Sequence, residues 1–280
     1  MDNSQKIERS IITKYRKTLF SNFTKALREY RLIQPGDHVA ACISGGKDSF
    51  LMAKLLQEIQ RHGSVPFELS FLVMDPGYHS LNRRLIQENA ELMGLPIRIF
   101  ETDIFDTVAN MDQNPCYMCA RMRRGHLYKN AQMMGANKIA LGHHFDDVIE
   151  TVLLSMLYGA EMKTMMPRLK SQNFPGMELI RPMYMIREKD IIAWRNYNHL
   201  TFLNCACRFT ENCALGDGGG GKRAQVKALI AQLEKAHPGV EMSIFRSCHN
   251  VNLDTVIGYR KGGVLHPFDE EFDQAQASDE

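Results

Sequence analysis

No stretch of this 280-residue chain approaches the roughly 18 uninterrupted apolar residues that a membrane-spanning helix requires. The first residues, Met1 to Ile12, are polar rather than built like a signal peptide. A cytoplasmic address with no membrane partner is therefore expected. No internal repeat is found. Phe268 to Glu280 contains no basic residue and six acidic ones, and such a tail is expected to be disordered. It masks the charge of the rest: the whole chain carries +2, but residues 1–267 carry +8. Cysteines number seven, an odd count, and a disulfide framework is not expected in an intracellular chain of this size. Metal binding, catalysis or burial must account for them.

What is present is a globular composition, 44% hydrophobic and 24% charged, long enough for one sizeable core with appendages. Residues 1–35 read as a basic helical arm. Apolar residues from Ile11 to Tyr30 recur at helical spacing, and Lys6, Arg9, Lys14, Arg16, Lys17, Lys25, Arg28 and Arg31 suit a phosphate-facing segment or a solvated helix face. Pro35-Gly36 closes the arm. Strands and helices then alternate. Strands are expected at His38 to Ile43, Phe67 to Met74, Ile97 to Phe100 and Lys138 to Leu141, and helices at Ser49 to His62, Ser80 to Met93, Arg121 to Met134 and Asp146 to Tyr158. This pattern implies an α/β fold with a doubly wound parallel sheet over residues 36–200. Pro167, Pro175 and Pro182 punctuate a loop-rich stretch before a helix from Glu188 to Asn198. A cysteine-containing and helical region follows over residues 201–266, with a glycine linker at Gly216 to Gly221 and a helix from Lys222 to Lys235, and the acidic tail closes the chain from residue 267.

Ser44-Gly45-Gly46-Lys47-Asp48-Ser49 follows the first strand directly and opens the next helix. The glycines allow the backbone close to an anion, amides at the helix start point at it, and Ser44, Lys47 and Ser49 add donors. The spacing is neither Gly-x-x-x-x-Gly-Lys-Ser/Thr nor Gly-x-Gly-x-x-Gly, so kinase and dehydrogenase readings weaken. The segment resembles the PP-loop ATP pyrophosphatases, whose signature is Ser-Gly-Gly-x-Asp-Ser. The resemblance implies ATP bound at the carboxyl edge of an adenine nucleotide α-hydrolase-like sheet, cleavage between the α and β phosphates, and AMP left on a carbonyl or carboxyl oxygen until a nucleophile displaces it.

Cys116-Tyr117-Met118-Cys119 precedes a helix bearing Arg121, Arg123 and Arg124, and Cys205, Cys207 and Cys213 cluster further on. From the cysteines alone, zinc, a redox dithiol, a three-cysteine iron–sulfur cluster and inert burial all stay open. Cys42 lies within the first strand and reads as core; Cys248 stands alone. Cys116 to Gly125, Leu141-Gly142-His143-His144-Phe145-Asp146-Asp147, Arg181-Pro182 and Arg187-Glu188-Lys189-Asp190 resemble the tRNA 2-thiocytidine synthetases, the tRNA cytidine-32 2-sulfurtransferase family. With the phosphate loop, these matches run across roughly residues 10–250. The resemblance implies a 4Fe-4S cluster on three cysteines and thiolation of cytidine 32 in tRNA. It makes Cys116 and Cys119 two ligands and either Cys205 or Cys207 the third. The Cys-x-Cys spacing of the last pair departs from the family's usual Cys-x-x-Cys.

The strand ending at Leu141 places Gly142 and His143 beside the phosphate loop, with Asp146 and Asp147 opening the next helix. Those carboxylates suit Mg²⁺ across ATP phosphates or plain helix capping. Asp75, after the second strand, is expected near the nucleotide, with Met74 giving backbone contacts. Lys47, Asp48 and Asp147 form the expected catalytic set. Arg121, Arg123 and Arg124 suit a developing anion, a tRNA phosphate or a solvated face. The expected partners are tRNA and a sulfur donor, a cysteine desulfurase or free sulfide; a homodimer is compatible. Rival readings are a PP-loop enzyme that thiolates another tRNA position or a small molecule, and a non-catalytic redox or metal sensor that binds nucleotide as a switch.

Overall fold

Four β-α units of the expected kind need a sheet that buries both faces, and the first strand meets that demand by being apolar along nearly its whole length. The computed structural model describes residues 3–109, 115–203 and 220–269. The chain divides into two units, Met1–Ala228 and Leu229–Glu280. In the first, strands β1 (His38–Ile43), β2 (Glu68–Asp75), β3 (Ile97–Glu101), β4 (Lys138–Ala140), β5 (Arg168–Lys170) and β6 (Glu178–Ile180) form one sheet in the order β3-β2-β1-β4-β6-β5. All neighbours pair in parallel except β5, which runs antiparallel to β6 at the edge. The doubly wound sheet thus has the expected class and two strands that the proline-rich stretch conceals. Each is only three residues long, too short for an alternation pattern.

Helices α1 (Asn3–Ile12), α2 (Ser21–Glu29), α3 (Lys47–His62), α4 (Ser80–Leu92), α5 (Ile104–Ala109), α6 (Pro115–Met133), α7 (Phe145–Gly159) and α8 (Glu188–Tyr197) surround the sheet, and α9 spans Gly220–Ala236. The strand order reverses between β1 and β4. That junction is where an open α/β sheet leaves a crevice at its carboxyl edge. The loops after β1 and β4 both open there.

The N-terminal segment is not one continuous helix. A π-helical stretch, Arg16–Phe20, separates α1 from α2. Ile7, Ile11, Leu19, Phe23 and Leu32 are buried in the same core as β1 and α3. Lys54, on α3, is almost fully buried and binds Glu8 Oε2 at 2.9 Å, Gln57 Oε1 at 2.7 Å and Met93 O at 3.0 Å. A buried ammonium is tolerated only when its donors are matched, so Glu8 fastens the segment to the core. Removing residues 1–33 would therefore open the core rather than trim an appendage. The eight basic residues of the segment all remain exposed, the surface reading that the sequence offers for them.

The second unit holds α10 (Val240–Ser247) and a hairpin of β7 (Gly258–Lys261) and β8 (Val264–Pro267). Gly262 and Gly263 supply the positive φ angles, 59° and 86°, that a two-residue hairpin turn demands. That dipeptide is a local turn signal written in the sequence itself. Among the described residues no helix is long and apolar enough to cross a membrane.

Candidate nucleotide and sulfur-transfer site

β1 delivers its chain into Ser44-Gly45-Gly46, and α3 starts at Lys47 with Gly46 as its N-cap. Gly45 has φ of +91°, and a Cβ there would sit 2.6 Å from Leu203 Cδ1 and 3.0 Å from Ile86 Cγ1. Both backbone and space therefore require glycine. Ser49 is buried: its Oγ accepts from the Ser44 amide at 3.1 Å and donates to Gly46 O at 2.9 Å. Its hydroxyl shapes the loop, while the amides at the start of α3 remain the anion-binding element. Gly45→Ala is expected to cost about 1–3 kcal/mol of stability and to weaken ATP binding. Unchanged thermal unfolding and nucleotide affinity would contradict this account of the loop.

The loop after β4 crosses against the same helix start. A Cβ on Gly142 would lie 3.0 Å from the Ser49 amide nitrogen, so glycine permits the two loops to touch. Between them lies a cleft of about 380 Å³. Ser44, Asp48, Ser49, Met74, Gly142, His143 and Asp147, all singled out by sequence, line it together. From α6 it gains Ala120, Arg123, Arg124 and Leu127. Asp48 Oδ1 and His143 Nδ1 are buried and have no hydrogen-bond partner among the described residues. Burial, with Arg181 as the next contributor, pushes His143 down to about 4, so it is neutral at physiological pH. Burial also raises Asp48 above the usual carboxylate range despite Lys47.

Lys47, Gly45, Gly46, Asp75 and Asp146 stand outside the cleft lining. Asp75 Oδ1 accepts from the Gly77 and Tyr78 amides at 3.0 and 2.7 Å, and its Oδ2 meets Arg83 at 3.3 Å. It builds the turn after β2. Asp146 Oδ2 accepts from the Glu188 amide at 2.7 Å and so caps α8. Asp147 Oδ2 accepts from the His144 amide at 3.0 Å, capping its own helix, while Oδ1 faces Arg223 at 2.6 Å. Adjacent helical positions point about 100° apart, which is why these neighbouring carboxylates divide their tasks.

Spacing does not single out Glu188, Arg223 or Lys227 as site residues. Glu188 Oε1 binds Lys47 Nζ at 3.1 Å, its other oxygen binds Lys227, and Arg223 joins Asp147 to Glu150. Burial opposes the charge on Lys47, but the Asp48 and Glu188 carboxylates outweigh it and raise Lys47 above its usual range. Burial likewise opposes ionisation of Glu188, and its bonds to Lys227 and Lys47 overcome that and bring it down to about 2. Because the folded value lies below the ordinary 4.5, the associated stability is present above pH 4.5 and lost as pH falls towards 2. The difference in urea midpoint between wild type and Glu188→Gln should thus stay constant from neutral pH to about pH 5 and close below it. A difference that closes already between pH 7 and about 5 would contradict the pairing.

Helix α6 begins at Pro115, earlier than the expected Arg121, because proline is well suited to the first helical position. Cys116 and Cys119 consequently fall in its first turn, three residues apart. Cys119 is buried, and Ala120 and Arg123 follow directly into the cleft lining. Cys205, Cys207 and Cys213 lie outside the described residues. Cys42 is buried in β1 and burial pushes its thiol up to about 12, which suits a protonated core residue.

A glycine loop between strand and helix, facing a second loop across the switch point of a parallel sheet, defines a PP-loop nucleotide-binding protein. The family model described as a PP-loop domain matches residues 15–207. Among curated proteins, the tRNA-cytidine(32) 2-sulfurtransferase of Shewanella amazonensis is 36% identical, over 89% of this chain and 76% of its own length. That of Alcanivorax borkumensis is 35% identical over 89% and 86% respectively. The chain belongs to this sulfurtransferase family of PP-loop proteins. Among solved structures, the U34-tRNA thiolase NcsA from Methanococcus maripaludis with its 4Fe-4S cluster shares the fold. Its TM-score is 0.64 at 24% identity, covering 86% of this chain and 80% of that one.

Proposed function

We propose that this chain uses ATP to replace the C2 oxygen of a tRNA cytidine with sulfur, by way of an adenylated base. The observation that carries the reading is that the phosphate loop, His143 and the cysteine-bearing helix α6 wall one cleft. ATP phosphates sit on the amides at the start of α3, with Lys47 as the cation beside them. The cytosine C2 oxygen attacks the α phosphorus; a P–O bond forms, the α–β bridge breaks and pyrophosphate leaves. C2 is then electrophilic. Sulfide (HS⁻) from the sulfur donor attacks C2, the C–O bond breaks to release AMP, and the sulfur loses its proton to solvent to leave C2=S. Arg123 and Arg124 face the charge that develops on the departing phosphate. His143, held neutral, offers a hydrogen bond in the cleft without adding charge.

The donor sets fit the groups expected. The unpartnered Asp48 Oδ1 and the carboxylate of Asp147 line the same cleft, and these two would hold Mg²⁺, which neutralises phosphate charge. Cys116 and Cys119 in the first turn of α6, with Cys205 or Cys207, would hold a 4Fe-4S cluster that leaves one iron without a protein ligand, able to bind sulfur. Nucleoside analysis of tRNA from cells with and without the chain tests the substrate. Loss of 2-thiocytidine is expected. Its persistence, or loss of a different thionucleoside, would contradict the reading.

A further inference from the structure

Beside the nucleotide cleft, between α6 and the turn joining β5 to β6, lies a second groove of about 690 Å³. It shares Ala120 and Arg124 with the cleft, so one stripe of α6 is wall to both. We propose that this groove holds the single-stranded RNA that flanks the target base. This rests on tRNA being the substrate and adds where its loop is gripped.

Three observations converge. First, Arg121, Arg124 and Lys170 line the groove, all three are exposed, and among the described residues no carboxylate lines it. A polyanion is the complementary occupant. Second, the groove carries an aromatic pair: Tyr128 and Phe174 stack with ring centroids 5.2 Å apart and planes 18° from parallel. Tyr128 is buried beneath, while Phe174 is half-buried and lines the groove. A half-buried aromatic among cations suits a stacked, unpaired base rather than a bare anion. Third, Gln172 and Asn173 bring exposed amides to the same turn. The turn is fixed by the Ser171 amide donating to Met177 O at 2.8 Å and the Phe174 amide donating to Ser171 Oγ at 3.2 Å. Side-chain amides read base edges.

The connection to the cleft excludes a duplex as occupant. A base can reach an ATP α phosphate held at the start of α3 only after leaving its stack. Its neighbours then need somewhere to lie within a nucleotide or two, and the groove that shares Arg124 is adjacent. Arg124 would meet the phosphate linking the inserted base to its neighbour.

The test uses the full chain and an RNA hairpin carrying the anticodon-loop sequence of a tRNA, with a fully paired RNA and poly-glutamate as comparison probes. Phe174→Ala is expected to weaken hairpin binding about 5- to 100-fold without changing its salt dependence, since stacking is lost and no charge. Lys170→Glu, at an exposed position that leaves the stacked pair intact, is expected to weaken hairpin binding and to flatten the slope of log affinity against log salt by about 1. Both should keep wild-type ATP affinity, Lys170→Glu should also keep wild-type thermal unfolding, and neither should lose comparable affinity for the paired RNA. Wild-type hairpin binding by both variants would overturn the assignment. Equal losses for poly-glutamate and hairpin would overturn it in favour of an acidic protein partner. A wild-type chain that binds no RNA would overturn the tRNA reading and this proposal together.

Discussion

Lys47→Ala is expected to lower AMP formation by about 100- to 1000-fold, the loss seen when one preorganised donor to a developing anion is removed. Its stability cost should be small, about 1 kcal/mol, because the ion pairs are partly solvated and Glu188 keeps a second cation. That cation is Lys227. The split is the informative part. If AMP forms at wild-type rate, the loop is not the phosphate site; if the variant unfolds, Lys47 is structural.

Replacing Cys116 or Cys119 is expected to abolish thiolation and bound iron while ATP binding persists. The two residues open α6, whose next turn lines the cleft, and they contribute no group to the phosphate loop. Cys119→Ser is the companion to Cys119→Ala, since Cys119 is buried in the core and cavity formation must be separated from ligand loss. Cys248→Ala, from the second unit, should keep both iron and activity. Of Cys205→Ala and Cys207→Ala, only one should match the loss at Cys116. One zinc held by four cysteines and stable to oxygen would contradict the iron–sulfur reading.

The nucleotide loop was legible because its information is local. A strand that ends, two glycines and a helix that begins occupy twelve consecutive residues, His38 to Ser49, and the physical demands on Gly45 are written in the residue itself. The β-α alternation was legible for the same reason. What the sequence withheld is pairing across distance. Glu188 meets Lys47 from 141 residues away, and Arg223 meets Asp147 from 76, with no periodicity linking either pair. Nor could spacing tell that Asp146 caps α8 while Asp147 lines the cleft. The N-terminal segment shows a different limit: its charges and its apolar stripe were both visible, and only packing decided that the stripe enters the core.

The central claim is that the base oxygen becomes a phosphate oxygen of AMP. It is tested most directly with a tRNA transcript whose target cytidine carries oxygen-18 at C2, incubated anaerobically with the reconstituted protein, ATP and sulfide. The account predicts that each 2-thiocytidine formed is matched by one AMP bearing the label in its phosphate. Unlabelled AMP, or ADP with labelled inorganic phosphate, would contradict it.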